Sequence, residues 1–374
     1  PDKAAEVAGN SICLMVLCGV IYTALVLIFL KPLLRAFGAT DEVMPYAISY
    51  TGITALGMPF LIMTNVMSNM IRADGSPNYS MVCMLIGAVI NTILDPIFIF
   101  SFGMGVAGAA WATIIGQFVS CIFAVAYVFR FKHIRLKKSD LRLSLHESIT
   151  TATLGMSSSL NQVAITLVQI VLNNSLTYYG ALSPYGTDIP LAACGIVMKT
   201  NAILLAVVIG ISQGTQPIVG FNYGAKQYSR VRKIYRLAII CNLVISFIGW
   251  CMFQFFPRQL LSIFGTGDAQ YFEFSIRFMR IFLFMALLNG VQLISSNFFS
   301  AIGKPLKGLL LSMTRQVFFL IPLILLLPLV MGGIDGVLYS GPTADFIAFV
   351  VTAIFIIHEM RIMKRLEAQQ AISE

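Results

Sequence analysis

The sequence predicts an all-α polytopic membrane protein, and three observations carry that prediction. The 374-residue chain is 58% hydrophobic, with a mean hydropathy of +0.85 and only 11% charged residues. A soluble domain has roughly a quarter of its residues charged, so a water-facing surface cannot be built from this composition. Apolar runs of about 20 residues, the length that crosses a bilayer, recur ten times. The chain also repeats itself. Asn69-Met70-Ile71-Arg72-Ala73-Asp74-Gly75-Ser76-Pro77 aligns, 228 positions on, with Asn297-Phe298-Phe299-Ser300-Ala301-Ile302-Gly303-Lys304-Pro305. The same offset sets Gly105-Val106-Ala107-Gly108 against Gly333-Ile334-Asp335-Gly336. Glycine and proline matched at fixed points, with apolar runs between, mean shared turns and shared spans.

The ten runs lie near 11–30, 44–70, 79–102, 106–129, 149–178, 190–221, 236–256, 271–299, 308–331 and 337–358. Several are longer than a straight crossing needs, which implies tilt or kinks. One residue less than the main offset sets Phe37-Gly38 against Phe264-Gly265, so runs seven to ten copy runs one to four. Runs five and six have no counterpart at the front, and their partner projects about 80 residues before Pro1. The expectation is therefore a parent of twelve helices in two six-helix lobes, a parallel repeat around a central cavity, of which ten helices are present. Residues 1–130 are expected to form the N-lobe, helices 3–6 of that parent, without its first two. Residues 131–147 read as a basic cytoplasmic linker, 148–360 as the C-lobe with helices 7–12, and 361–374 as a cytoplasmic tail.

The net charge of +9 is topological. With loops assigned alternately to the two sides, 18 of the 25 Lys and Arg fall on one side. Lys31, Arg35 and Arg258 fall on the other, while Lys199, Arg277, Arg280 and Arg315 sit within spans. The positive-inside rule makes the first side cytoplasmic and puts both chain ends there. The partners this implies are the lipid bilayer and no nucleic acid. All seven cysteines fall in apolar stretches without ligand spacing and read as packing residues.

Two motifs are declined on context. Gly103-Met104-Gly105-Val106-Ala107-Gly108 satisfies GxGxxG but lies in a tight turn between spans, outside any βαβ unit. Gly210-Ile211-Ser212-Gln213-Gly214 satisfies GxSxG without a strand-to-helix elbow. The histidines, His133, His146 and His358, fall in loops or near a span end. No enzyme chemistry is expected.

Polar residues within spans carry the functional information, because an amide or charge in hydrocarbon must face a cavity or a partner. Ser158, Gln162, Thr166, Gln169 and Asn173 fall within about 80° of one another on a helix. They line either a wet cavity or a hydrogen-bonded helix seam. Asn69 and Asn297 hold equivalent places ahead of the repeated turn, as cavity residues or as caps for its backbone. Asn91 and Asp95 lie one helical turn apart, whereas their copies are Phe319 and Leu323, so the carboxylate is asymmetric. A membrane-embedded aspartate can take up H⁺ or Na⁺, and Asp345 is a second candidate. Lys199 and Arg315 are deep cations expected to meet Asp95, Asp345 or a helix C-terminus. Glu273 and Arg277, at i and i+4, are expected to pair locally.

Arg72-Ala73-Asp74-Gly75-Ser76-Pro77, Asn91-Thr92-Ile93-Leu94-Asp95-Pro96, the run from Gly105 to Thr113, Gly214-Thr215-Gln216-Pro217 and Asn222-Tyr223-Gly224-Ala225 together resemble the multidrug and toxic compound extrusion (MATE) family, in its MepA-like bacterial branch. The resemblance implies two six-helix lobes about a V-shaped cavity, and a monomer exporting lipophilic cationic small molecules in exchange for Na⁺ or H⁺, with no other cofactor. The family's N-lobe coupling carboxylate lies in a first helix that this chain lacks. From their polarity within spans, the ion-coupling candidates are Asp95, Asn91 and Asp345. The cavity candidates are the stripe Ser158, Gln162, Thr166, Gln169 and Asn173, with Lys199, Gln213, Gln216, Asn69, Asn297 and Arg315. A second expectation is a lipid-linked oligosaccharide flippase of a related fold, which needs a more cationic cavity to hold pyrophosphate.

Overall fold

The computed structural model describes residues 2–36, 44–132, 137, 140–264 and 267–373, and among them there are helices and no strand. The Phe37-Gly38 and Gly265 match and part of the basic linker lie outside the described residues, as does the side chain of Ser158. The chain divides into two compact units, Pro1–Thr153 and Leu154–Glu374.

The first unit contains α1 (Asp2–Ile28), the short α2 (Leu30–Ala36), α3 (Met44–Ala73), α4 (Pro77–Pro96) and α5 (Gly105–Ala126), and the start of α6 (Leu145–Ala181). A π-helical turn, Ile97–Ser101, extends α4. The second unit continues α6 and adds α7 (Asp188–Gly224), α8 (Tyr228–Phe255), the short α9 (Pro257–Phe264), α10 (Ala269–Phe282), α11 (Ala286–Ala301), α12 (Pro305–Met313), α13 (Ile321–Met331) and α14 (Ile334–Ser373). A π-helical turn, Thr314–Leu320, joins α12 to α13. The segment expected as a tail continues α14 as helix.

The repeat is visible in these bounds. A long helix, a short one, a crossing, a proline-started helix with a π turn, and a last helix that begins at Gly105 or just after Gly333 follow in the same order from α1 and from α8. Pro77 and Pro305 each stand in a first helical turn, where the missing N–H costs nothing. Gly75 (φ +79°) and Gly303 (φ +75°) supply the left-handed residue before them. Ser76 N donates to Ile71 O at 3.1 Å, and its copy Lys304 N donates to Phe299 O at 2.9 Å. Where the first copy runs one helix, α3, the second bends by 49° between α10 and α11.

Among the described residues, eight helices are long and apolar enough to cross a membrane, or nine counting the bent pair as one. The tenth expected span falls on α6, whose 37 residues measure about 55 Å. It is not one of those eight or nine, and it carries the stripe of Gln, Thr and Asn. Large apolar side chains such as Ile28, Phe100, Leu237 and Val330 point outward, an arrangement suited to lipid and not to water. Inward, Met67, Ile71 and Tyr127 form the core of the first unit. Leu172, Phe274, Phe278 and Leu338, and separately Phe298, Phe299 and Leu311, form cores of the second.

Candidate functional site

In the first unit, α4 and α5 approach as closely as backbones allow. A Cβ on Gly116 would stand 2.6 Å from Gly87 O, and one on Gly87 would stand 2.7 Å from Gly116 O. Small residues of this kind let membrane helices touch. Beside the contact, with α3 as a third wall, lies a cavity of about 220 Å³ whose polar lining is Thr64, Asn65, Asn91, Thr113, Gln117 and Ser120.

Asn91 is the hub. Its Nδ2 donates to Asp95 Oδ1 at 3.3 Å and to Thr113 Oγ1 at 3.4 Å. Gln117 Oε1 is buried without a hydrogen-bond partner. A carboxylate, an amide and a hydroxyl thus gather on α4 and α5, oxygen-bearing groups of the kind hard cations use. Asp95 is half-buried. No group of three or more His, Cys, Asp or Glu suited to a metal ion occurs among the described residues.

The second unit fills the equivalent place. At the 228-residue offset, Gly87 becomes Arg315 and Gln117 becomes Asp345. Arg315 Nε donates to Asp345 Oδ1 at 2.5 Å, with side chains 13% and 4% exposed. Thr64 becomes Gln292, whose Nε2 donates to Leu311 O at 2.5 Å. The copy is therefore a satisfied seam. The other deep acid of this unit among the described residues, Glu359, is buried against Lys304 and Lys307, the latter at 3.0 Å. Of Asp95, Asp345 and Glu359, Asp95 has no cation partner among the described residues.

The remaining sequence-derived residues separate by what they face. On α6, Gln162 and Thr166 are exposed, while Ala164, Val168, Leu172 and Leu176 turn the opposite face into the core. Gln169 Nε2 donates to Asn173 Oδ1 at 3.3 Å, and Asn173 meets Cys194 of α7 at 3.9 Å. The stripe is thus a seam at Asn173 and an open face at Gln162 and Thr166. On α7, Lys199 is exposed and pairs with no carboxylate among the described residues, unlike the partner expected for it. Gly195, Gly210 and Gly214 of the same helix have open space where a Cβ would stand. Gln213 and Gln216 are half-buried.

The two repeated asparagines diverge. Asn297 Nδ2 donates to Ser212 Oγ at 2.8 Å, tying α11 to α7. Asn69 stays local, donating to Asn65 O at 3.1 Å and accepting from Arg72 at 2.5 Å. The expected Glu273–Arg277 pair does not form. Arg277 instead meets Asp335 at 2.8 Å, because that carboxylate in the first turn of α14 lies within its reach. Sequence reasoning missed Thr113 and Gln117; each lies on α5 facing Asn91 or the Gly87 contact, a neighbourhood that spacing along one helix does not reveal.

The family model MatE matches residues 1–97 and 158–326. The chain is 25% identical over 362 residues to the multidrug export protein MepA of Staphylococcus saprophyticus, covering 96% of this chain and 77% of that one. It is 24% identical over 363 residues to MepA of Staphylococcus aureus, with the same coverage. Among solved structures, a MATE protein in a bent conformation superposes with a TM-score of 0.88 at 23% identity, over 98% of this chain and 80% of that one. The outward-facing form of a multidrug resistance MATE family transporter superposes at 0.89 with 24% identity, over 97% and 80%.

Proposed function

The chain belongs to the MatE family, a family of transporters and not of enzymes, and from that premise we propose a secondary antiporter that expels lipophilic cations in exchange for Na⁺ or H⁺. The observation that carries the reading is Asp95. Burying a carboxylate is costly unless something compensates its charge. For Asp345 and Glu359 the compensation is a side chain of this protein. For Asp95 it is left to a mobile cation, with Asn91 as its hydrogen-bonded neighbour and Thr113 next to Asn91. Entry of that cation biases the protein towards one state of its alternating-access cycle only as far as the ion prefers that state.

The open, polar faces of α6 and α7, with Gln162, Thr166, Gln169 and Gln213, supply weak polar contacts for an amphipathic cation. The relatives named multidrug export proteins support that substrate class. The residues of 1–130 and 148–360 act as the two moving lobes of a monomer in the bacterial cytoplasmic membrane, with 131–147 as linker and both ends on the cytoplasmic side. Arg315 is consumed by Asp345, so Lys199 is left as the candidate cation for a lipid-linked pyrophosphate, which disfavours the flippase reading.

The test is ethidium efflux in inverted vesicles carrying the full-length protein. Asp95→Asn should abolish efflux driven by a Na⁺ or H⁺ gradient at unchanged expression. Efflux at the unsubstituted rate removes Asp95 from the mechanism.

A further inference from the structure

A second cavity, of about 610 Å³, lies between α8 and α14 in the second unit, remote in sequence from the Asp95 cluster. Its size falls within the roughly 300–1,000 Å³ of small-molecule sites. Its chemistry is ordered along the helix axis. Arg232 and Lys233 stand in the second turn of α8 and Arg236 in the third, and Ile239 and Ile240 follow one turn deeper. From the antiparallel α14, Ile356, Ile357 and Ala353 supply the facing apolar wall. Of the other polar side chains that line it beside Ser229, Tyr235 meets Ser295 at 2.8 Å and Thr352 donates to Ala348 O at 2.7 Å.

The charge at the mouth is not neutralised. Arg232 pairs with Glu367, yet its Nε is buried without a partner. Lys233 and Arg236 are exposed and pair with no carboxylate among the described residues. Three cations thus face one acid. The matching positions of the first copy, at the 227-residue offset of this part of the repeat, are Ala5, Glu6 and Gly9. The cationic mouth is particular to α8 and is not something the repeated fold demands.

We propose that this cleft binds an anionic phospholipid, its phosphodiester held by Arg232, Lys233 and Arg236 and one acyl chain laid against Ile240, Ala353 and Ile357. The order of groups matches such a lipid: cations at the basic end of the span, apolar wall within the hydrocarbon. Outside the cleft the exposed Leu237 and Val244 on α8 and Ile354 on α14 continue the surface that a second chain would follow. Basic pockets between membrane helices take anionic head groups for this reason, at a gain of about 1 kcal/mol per Lys or Arg.

The test is native mass spectrometry of the full-length protein titrated with dioleoylphosphatidylglycerol or dioleoylphosphatidylcholine. Phosphatidylglycerol should be retained in preference. Lys233→Gln should weaken it about 5-fold and K233Q/R236Q about 30-fold. Ala353→Trp, which leaves every cation in place and fills the cleft, should weaken it at least about 10-fold. Equal retention of the two lipids, or unchanged affinity in any of the three variants, overturns the site. Displacement by inorganic phosphate would overturn the lipid as occupant, since a free anion would then suffice.

Discussion

Arg315→Met gives the most decisive view of how the two copies differ. Asp345 is 4% exposed and Arg315 13%, and they meet at 2.5 Å. Removing one partner of a buried pair strands the other, at a cost of about 3–5 kcal/mol. Replacing both by neutral groups of similar volume is about neutral. R315M and D345N should therefore each destabilise by about 3–5 kcal/mol, and R315M/D345N should lie within about 1 kcal/mol of the parent, a coupling of several kcal/mol. A stranded carboxylate has a second outlet, because it can recruit a cation. Na⁺ at ten times its dissociation constant would then stabilise R315M by about 1.4 kcal/mol. The comparison is made in an Asp95→Asn background, so that the first-unit site adds nothing. Denaturation of the detergent-purified full-length protein, with and without Na⁺, reads both effects. Single-variant losses below about 1 kcal/mol that simply add in the double variant would show that no functional pair exists. A Na⁺ response in R315M that persists in R315M/D345N would refute the recruited-cation argument.

Other substitutions test the frame around the cavity. Gly116→Ala places a Cβ 2.6 Å from Gly87 O, which is backbone and cannot yield, so a loss of about 1–3 kcal/mol is expected in the same denaturation assay. Asn297→Ala should cost about 1 kcal/mol through the lost bond to Ser212, and Asn69→Ala less than about 0.5 kcal/mol because its bonds are local and exposed. Equal losses would show that the repeated asparagines do the same work. Glu359→Ala leaves Lys304 and Lys307 facing one another, each about a third exposed and so partly hydrated. A loss of about 1–3 kcal/mol is expected, with faster proteolysis at the Gly303 turn, and an unchanged melting temperature and cleavage rate would contradict it.

The fold was legible because its signals are periodic. Pro77 and Pro305, Gly75 and Gly303 announce the same turns in both copies, and the structure returns the same backbone hydrogen bonds around them. The helix α6 was legible by length, and it does not stand among the helices apolar enough to cross a membrane. The site was legible only in part. Asn91 and Asp95 are one turn apart, so a single helix reveals them. Thr113 and Gln117 join them across the α4–α5 contact, and nothing in their own neighbourhood marks them. Arg277 illustrates the reverse error: spacing offered Glu273, but the chain fold brought Asp335 closer to the guanidinium. Local rules propose partners along a helix, and tertiary packing decides between them.

On the antiport reading proposed above, the asymmetry of the copies confines ion coupling to one half. Asp345 carries its counter-ion on the adjacent strand of packing, since Arg315 lies on the turn joining α12 to α13 and Asp345 on α14. A tethered cation stays at high effective concentration whatever the bulk solution holds. The second-unit carboxylate is therefore occupied at either face of the membrane and cannot report an ion gradient. An ion shifts a conformational equilibrium only by its differential affinity for the two states, and a site that is always filled offers none. At the matching place the first unit has Gly87 and Gln117, which leave a cavity and no cation, and Asp95 stands one turn beyond Asn91 at its edge. On that reading ionic coupling acts through α3, α4 and α5, while α12 to α14 hold their shape.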